Sequence, residues 1–198
     1  KPAQVITYIR ELMLKKNLVS LDTYRQFNDL LKRFHRVRRY GILTRLKKEK
    51  LSLSAEKFNE LLNTPITPEE ESVLIDFSSE MSPSLLKALD DADTLSCFTC
   101  AACSSSCPVF YERALFEPQS VFRMANLGLT DKLLSSPWIW LCIGCRRCTD
   151  NCGQLVKGHA TIESLRALAV KEGFVPVSFA SQLKEMEKII YPYLLDEI

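Results

Sequence analysis

The sequence lacks several features that would each indicate a particular class of protein. Its longest apolar runs, such as Trp138–Ile143, fall far short of the roughly 20 residues of a membrane-spanning helix. No charged-then-apolar leader opens the chain, since Val5–Leu14 already carries Arg10 and Glu11, so we expect a cytoplasmic, reducing location. No G-x-G is present, which argues against a dinucleotide-binding fold. The net charge of +2 does not favour a nucleic-acid partner.

The first 93 residues contain no cysteine, and their apolar residues recur at helical spacing. Ser54, the pair Ser82-Pro83 and the run Thr67-Pro68-Glu69-Glu70 are typical of helix starts, and Asp22 is a candidate cap for the second helix. We therefore predict about five short helices here. Such helices are too short to be stable alone, so we expect their apolar faces to pack on the rest of the chain, on a partner subunit or on a second copy.

Charge is segregated within this part of the chain. Nine Lys/Arg and one Glu lie between Leu30 and Lys50, whereas eight acidic residues and one lysine lie between Thr67 and Asp93. The ordinary interpretation is two solvated helix faces. The alternative is that residues 30–50 dock to an acidic partner or to a membrane surface. Nucleic acid is the least favoured partner, because the stretch matches no nucleic-acid-binding motif.

All eight cysteines lie in two copies of one motif, C-x2-C-x2-C-x3-C. The first copy, CFTCAACSSSCP, begins at Cys97, and the second, CIGCRRCTDNCG, begins at Cys142. Three cysteines at i, i+3 and i+6 let one tight loop hold three corners of a 4Fe–4S cluster, and in two-cluster ferredoxins the fourth ligates the other cluster. The spacing therefore predicts two 4Fe–4S clusters with crossed ligands. Cluster 1 is predicted on Cys97, Cys100, Cys103 and Cys152, and cluster 2 on Cys142, Cys145, Cys148 and Cys107.

Other uses of eight cysteines fit this spacing less well. Zinc sites favour two C-x2-C pairs joined by a linker, which does not account for a third cysteine at i+6 in both copies. A disulfide framework would require an export signal, and thiol redox catalysis would need a single C-x2-C pair. We interpret His35 and His159 as ordinary packed or surface residues, because the cysteines alone complete both sites. No nucleophile–base pair stands out, so no catalytic residue is predicted.

The likeness to a known family is carried by four segments: CFTCAACSSSCPV, EPQSVFRMANLGL, WIWLCIGCRRCTDNC and IESLRALAVKEG. The 34 residues between Cys107 and Cys142 also read as helices rather than short strands. Over about residues 95–175 the sequence resembles the helical two-cluster ferredoxin domain, most closely that of the C subunit of heterodisulfide reductases. The resemblance implies an all-α fold in which a helical extension, residues 1–93, precedes a ferredoxin domain with C-terminal helices, residues 94–198.

The resemblance also implies a role. Such a C subunit relays single electrons through two 4Fe–4S clusters, from a flavoprotein A-type subunit to a B-type cysteine-rich subunit that reduces or forms a disulfide. The chain has no adjacent cysteines and ends 46 residues after Cys152, so we expect no substrate chemistry on it. Two alternatives stay open. One is an iron–sulfur subunit of a membrane-associated, quinone-linked oxidoreductase that meets lipid through residues 30–50. The other is a binding protein whose clusters are only structural.

One departure from the family pattern follows the fourth cysteine. The family has proline after this cysteine in both motifs; Pro108 fits, but Gly153 stands in the second position. Glycine keeps an N–H that proline lacks and allows other turns. We therefore expect an altered potential and turn near Cys152, with ligation retained.

Neighbouring side chains are expected to tune the clusters. Arg146 and Arg147 inside the second motif would raise the potential of the nearby cluster, unless they point into solvent. The hydroxyls of Thr99 and of residues 104–106 are candidate hydrogen-bond donors to sulfur. Trp138 and Trp140 are candidates for shielding a cluster from water, although core packing is the more common role of such residues.

Overall fold

The protein is all-α, as the sequence predicted. A computed structural model describes residues 2–66, 81–110 and 115–197, and no strand occurs in these ranges. One 3-10 turn, Thr94–Ser96, precedes the first cysteine motif. The helices of the described residues are α1 Pro2–Lys15, α2 Leu21–Leu46, α3 Ala55–Asn63, α4 Pro83–Asp91, α5 Ala102–Ser105, α6 Pro118–Asn126, α7 Thr130–Ser135, α8 Trp138–Leu141, α9 Arg147–Asp150, α10 Gly158–Lys171 and α11 Phe179–Asp196.

Serine side chains cap three of the helices in the N-terminal part. The Ser54 hydroxyl accepts a hydrogen bond from the backbone N–H of Lys57, and Ser82 caps α4 with Pro83 at its first position, both as predicted. The predicted cap of α2 was wrong: Ser20, not Asp22, takes this role and accepts from the N–H of Thr23 at 3.0 Å. Asp22 instead lies in the first turn, where its charge suits the helix dipole. The start predicted at residues 67–70 lies outside the described residues.

Helix α2 also corrects the prediction of short helices only, because it runs for 26 residues. The sequence between Leu21 and Leu46 has no proline, and its single glycine, Gly41, does not interrupt the helix. At Gly41 the helix meets α11: a Cβ added there would lie 2.5 Å from Sδ of Met186. Glycine is thus required by the close approach of the two helices rather than by a turn.

The hydrophobic core contains residues from both sides of the boundary predicted at residue 93. Phe34 of α2 lies 5.5 Å from Tyr191 of α11, and Phe58 of α3 stacks on Tyr193 at 5.4 Å. The Tyr193 hydroxyl also donates to the Leu53 carbonyl at 2.8 Å. Helices α2 and α3 therefore pack against the C-terminal helix, which is the first of the three packing modes expected for the N-terminal helices.

Two cations of the basic stretch are buried inside the protein rather than solvated. Arg36 donates to the Leu62 carbonyl at 2.7 Å. Arg38 donates to the carbonyl of Leu141, the residue before the second cysteine motif, and pairs with Glu187 of α11, both at 3.2 Å. The interpretation of this stretch as a solvated face is therefore wrong for these two residues, because they satisfy internal carbonyls and a carboxylate.

Across the described ranges, no helix has the length and apolar character needed to cross a bilayer.

The α2–α11 contact gives a first prediction. Replacing Gly41 with leucine puts a side chain where Met186 already lies, so we expect the free energy of unfolding to fall by about 1–3 kcal/mol. Adding Met186→Ala in the same chain makes room and should recover most of that loss. Denaturant unfolding of the four proteins of this double-mutant cycle measures the coupling. Additive losses would contradict the contact.

The burial of His35 gives a second prediction. Burial, with help from the Arg38 cation, lowers the pKa of His35 to about 3. Because the unfolded chain binds this proton near pH 6.5 and the folded chain does not, stability is complete above pH 6.5 and falls as the pH drops towards 3. Between pH 6.5 and 5.5 we expect the wild type to lose about 1 kcal/mol more than His35→Gln. Anaerobic thermal unfolding measures this, with His159→Gln as the control for loss of an imidazole. Parallel pH profiles for wild type and His35→Gln would contradict it.

Candidate metal centre

The two cysteine motifs, residues 97–107 and 142–152, fold into loops of the same geometry. In each loop the residue two positions after the first cysteine has a left-handed backbone, with φ of 53° at Thr99 and 70° at Gly144. The N–H of that residue donates to the sulfur of that first cysteine, at 3.4 Å in both loops. The backbone of each loop thus points an amide at a thiolate, as iron–sulfur proteins use to stabilise charge on sulfur.

The residue after the second cysteine is also left-handed in both loops. Ala101 and Arg146 each have φ of 62°, and each precedes a four-residue helix, α5 or α9. A left-handed backbone costs a non-glycine residue about 1–2 kcal/mol. Since Thr99, Ala101 and Arg146 all carry this cost, both loops hold strain beside their sulfur atoms, which is typical of a site shaped for a ligand.

A cavity lies between the second loop and the end of the first loop. We call it the second cavity, because three of its cysteines belong to the second motif. It is small, with a volume of about 10 Å³. Its cysteines are Cys142, Cys145 and Cys148 of the second motif and Cys107, the fourth cysteine of the first motif. Apolar side chains such as Val109, Phe116 and Ile162 complete the wall together with Arg146.

The other cavity is similarly small, about 20 Å³, and we call it the first cavity because three of its cysteines belong to the first motif. Its cysteines are Cys97, Cys100 and Cys103 of the first motif and Cys152 and Cys148 of the second. Cys148 therefore lies between the two cavities. The wall is otherwise neutral, with Phe122, Gln154 and Val156 among its residues. Cys100 is the exposed cysteine at this cavity, whereas the other seven are partly buried.

The cysteine pKa values report the same grouping. Burial raises the pKa of Cys107 to about 11, and the nearby sulfurs of Cys145 and Cys142 add to the rise. Burial likewise raises the pKa of Cys148 to about 12, with contributions from Cys142 and Cys145. Cys107 is thus electrostatically coupled to the second motif, although it belongs to the first in sequence. Thiols with such pKa values have to lose their protons when they bind a metal.

The cysteine set fits an iron–sulfur cluster. All donors are soft sulfur atoms, which suit iron–sulfur clusters or zinc, and none of the eight cysteines forms a disulfide. Within the described residues, no group of three or more His, Cys, Asp or Glu side chains is placed as for a single metal ion. A cluster makes a different demand, because each of its cysteines binds a different iron at the edge of a cavity.

Helix α10 follows the second motif and packs tightly on both cavities. A Cβ added at Gly158, its first residue, would lie 2.6 Å from Cζ of Phe122 and 3.1 Å from the sulfur of Cys148. Any larger residue would displace one of these groups. Gly158 therefore allows the helix to begin directly beside the shared cysteine.

Two residues that the sequence analysis did not identify brace the loops from behind. Arg166 of α10 donates to the carbonyls of Ile139 at 2.8 Å and Cys142 at 2.6 Å. Asn126 of α6 donates to the carbonyl of Thr94 at 3.0 Å. The sequence signal for Arg166 was a cation directly after Leu165 on an amphipathic helix, which is too common to indicate a site by itself.

Several predicted tuning residues lie elsewhere or act differently. The hydroxyls of Ser105 and Ser106 donate to backbone carbonyls of their own loop instead of to sulfur. Burial raises the pKa of Cys103, and a hydrogen bond with the Ser104 hydroxyl opposes that rise, as the sequence analysis anticipated for a hydroxyl here. Trp140 packs in the core with its ring 4.7 Å from that of Phe179, which is the more common role noted for it.

Gly153 occupies open space. A Cβ added there would meet nothing within 4 Å, and its φ is not in the left-handed region. Neither sterics nor backbone conformation therefore requires glycine after Cys152. The effect predicted for this position on cluster potential remains a prediction.

Comparison with known proteins agrees with this geometry. The family described as 4Fe-4S dicluster domain matches residues 93–156. The iron-sulfur C subunit of the CoB–CoM heterodisulfide reductase of Methanopyrus kandleri is 30% identical over 109 residues, 54% of this chain and 56% of that protein. The C subunit of the H2:CoB-CoM heterodisulfide,ferredoxin reductase of Methanothermobacter marburgensis is 35% identical over 79 residues, 40% of this chain and 42% of that protein.

A third relative, from Archaeoglobus profundus, is named as a protein like the C subunit of heterodisulfide reductase. It is 31% identical over 88 residues, 44% of this chain and 47% of that protein. The chain thus spans about half the length of the curated relatives it matches. The predicted resemblance is confirmed: residues 93–156 match the family described as 4Fe-4S dicluster domain, and the chain is similar to the C subunits of heterodisulfide reductases.

Proposed function

We propose that the chain is an electron-relay subunit of a heterodisulfide reductase-like complex. The observation that carries the proposal is the composition of the two cavities. Each is lined by three cysteines of one motif together with the fourth cysteine of the other. This arrangement, with Cys148 in the wall of both cavities, supports two neighbouring cluster sites, and closely spaced clusters would suit the passage of electrons one at a time.

The proposed ligands follow the crossed pattern. Cys97, Cys100, Cys103 and Cys152 would hold one 4Fe–4S cluster, and Cys142, Cys145, Cys148 and Cys107 the other. Bound clusters would supply reversible one-electron chemistry. The chain itself supplies thiolates, backbone amides aimed at Cys97 and Cys142, and apolar walls that limit water around the sulfurs.

The partners in this proposal follow from the family resemblance. The relatives are named as C subunits of heterodisulfide reductases, one of them of a heterodisulfide,ferredoxin reductase, which implies a complex with other subunits. A flavoprotein A-type subunit would deliver electrons, and a B-type cysteine-rich subunit would carry out the disulfide chemistry, in the cytoplasm. No substrate chemistry is assigned to this chain, and residues 1–93 would support the cluster domain and contact partners.

Cofactor content and redox activity test the proposal directly. Anaerobically purified protein should contain about eight irons and eight sulfides per chain. Reduction with dithionite should produce an electron paramagnetic resonance signal with splitting from two interacting clusters. Zinc in place of iron would overturn the proposal. Bound clusters that stay silent throughout the titration would instead favour a binding protein with structural clusters.

Paired cysteine variants test the crossed ligands. Replacing Cys107 and Cys142 with serine removes two ligands of the same proposed cluster, so about four irons should remain bound. Replacing Cys107 and Cys97 removes one ligand from each cluster and should destabilise both.

The two pairs are matched controls, because each removes two cysteines. Ligation within single motifs predicts the reverse outcome, with about four irons retained only when Cys107 and Cys97 are replaced together. Iron analysis of the two variants therefore separates the two patterns.

A further inference from the structure

The two cysteine loops are braced at the same position by residues of different charge. Thr94 and Ile139 each stand three residues before the first cysteine of a motif. The Thr94 carbonyl accepts from the neutral amide of Asn126 at 3.0 Å, whereas the Ile139 carbonyl accepts from the guanidinium of Arg166 at 2.8 Å. Since the loops otherwise share their backbone geometry, this difference in charge distinguishes the two sites.

Arg166 is held in place on all sides. Beyond its bonds to Ile139 and Cys142, it pairs with Glu163 at 2.7 Å and lies 5.6 Å from the Trp140 ring centre. The side chain of Arg166 is 21% exposed and that of Glu163 50%, so solvent screens the carboxylate more than the cation.

The loops differ in charge at a second pair of equivalent positions. The residue after the second cysteine is Ala101 in the first loop and Arg146 in the second, both with φ of 62°. Arg146 lines the second cavity. Among the described residues, the wall of the first cavity includes no charged side chain.

An ion pair lies close to the first cavity, but its two charges are opposite and both side chains are exposed. Lys157 follows Val156 of the cavity wall and pairs with Asp93 at 2.8 Å. Their side chains are 55% and 51% exposed, so this pair contributes little net field at the cavity. Arg146 is itself exposed, so Arg166, the better shielded cation, contributes most of the positive field at the second cavity.

We propose that Arg166 and Arg146 make the second cavity the electron-retaining site of the pair. Added negative charge is stabilised by nearby cations, which raises the reduction potential of a cluster. One electron supplied by a one-electron donor would thus pass from the first cavity to the second, with no bond formed or broken and no proton moved. This inference rests on the proposed function, since it requires both cavities to hold clusters.

A potentiometric titration of the iron-loaded protein, followed by electron paramagnetic resonance, tests it. The wild type should show two midpoints. The cluster that remains when Cys107 and Cys142 are both serine, held by the first cavity, should account for the lower one. The ratio of oxidised to reduced cluster is measured for the cluster of the second cavity, at a potential equal to the higher midpoint of the wild type. Arg166→Gln should raise this ratio by about three- to tenfold. Tenfold corresponds to about 59 mV for one electron.

Further variants separate charge from structure. Arg166→Lys keeps a cation without the two-carbonyl brace and should restore most of the higher midpoint. Arg146→Ala copies the first loop at this position and should lower the same midpoint. Lys171→Gln removes an equal charge from the same helix near Ser84 and should shift neither midpoint.

The outcomes distinguish this inference from the proposed function. A protein without iron, or with redox-silent clusters, would overturn the proposed function. Eight irons with two equal midpoints, or a higher midpoint unmoved by both Arg166→Gln and Arg146→Ala, would overturn the assignment of the electron-retaining site alone. If the Arg166→Gln protein fails to bind iron, the midpoint of Arg146→Ala decides whether the assignment holds. This variant should fold, because Ala101 has the same left-handed backbone at the equivalent position of the first loop.

Discussion

Two loops, residues 97–107 and 142–152, have to meet around two cavities, and most of the structure holds them in that position. The second cavity is completed by Cys107 from the first loop, and the first cavity by Cys148 and Cys152 from the second. Neither set of sulfur atoms is complete within one loop. Helices α6, α7 and α8 connect the loops, and α10 continues from the second with a glycine beside Cys148. The elements around the loops therefore hold two short, strained segments face to face, because the one-turn helices α5 and α9 stabilise each segment only internally.

The N-terminal helices contribute to the same arrangement from a distance. Helix α2 reaches the second loop through Arg38, which donates to the carbonyl of Leu141, directly before Cys142. The same face of α2 packs on α11, where Arg38 pairs with Glu187 and the two helices approach closely at Gly41. Charges that a sequence would assign to the surface thus form internal supports. A buried arginine is costly to remove, because the carbonyls it satisfies would be left without partners.

Local signals predicted local structure well. Ser54 and Ser82-Pro83 mark helix starts in the structure as their chemistry implies. Errors arose where two local choices competed or where a contact lay far away in sequence. Ser20 and Asp22 are both good caps, and only the actual start of α2 decided between them. The length of α2 was also missed, and the reason for its single glycine cannot be found locally, because Met186, which packs against Gly41, lies 145 residues further on.

The sequence by itself determined which sulfur atoms are available and how they are spaced. The spacing C-x2-C-x2-C-x3-C, repeated at Cys97 and Cys142, is a local property, because three cysteines within seven residues can reach one small group only in a tight loop. Only the tertiary structure decided which charges outside the motifs lie beside each site. Arg166 and Asn126 lie 24 residues after Cys142 and 29 after Cys97 respectively, on helices whose orientation depends on packing across the whole core. A Coulomb interaction depends on distance in space and on burial, and neither quantity can be read from sequence separation.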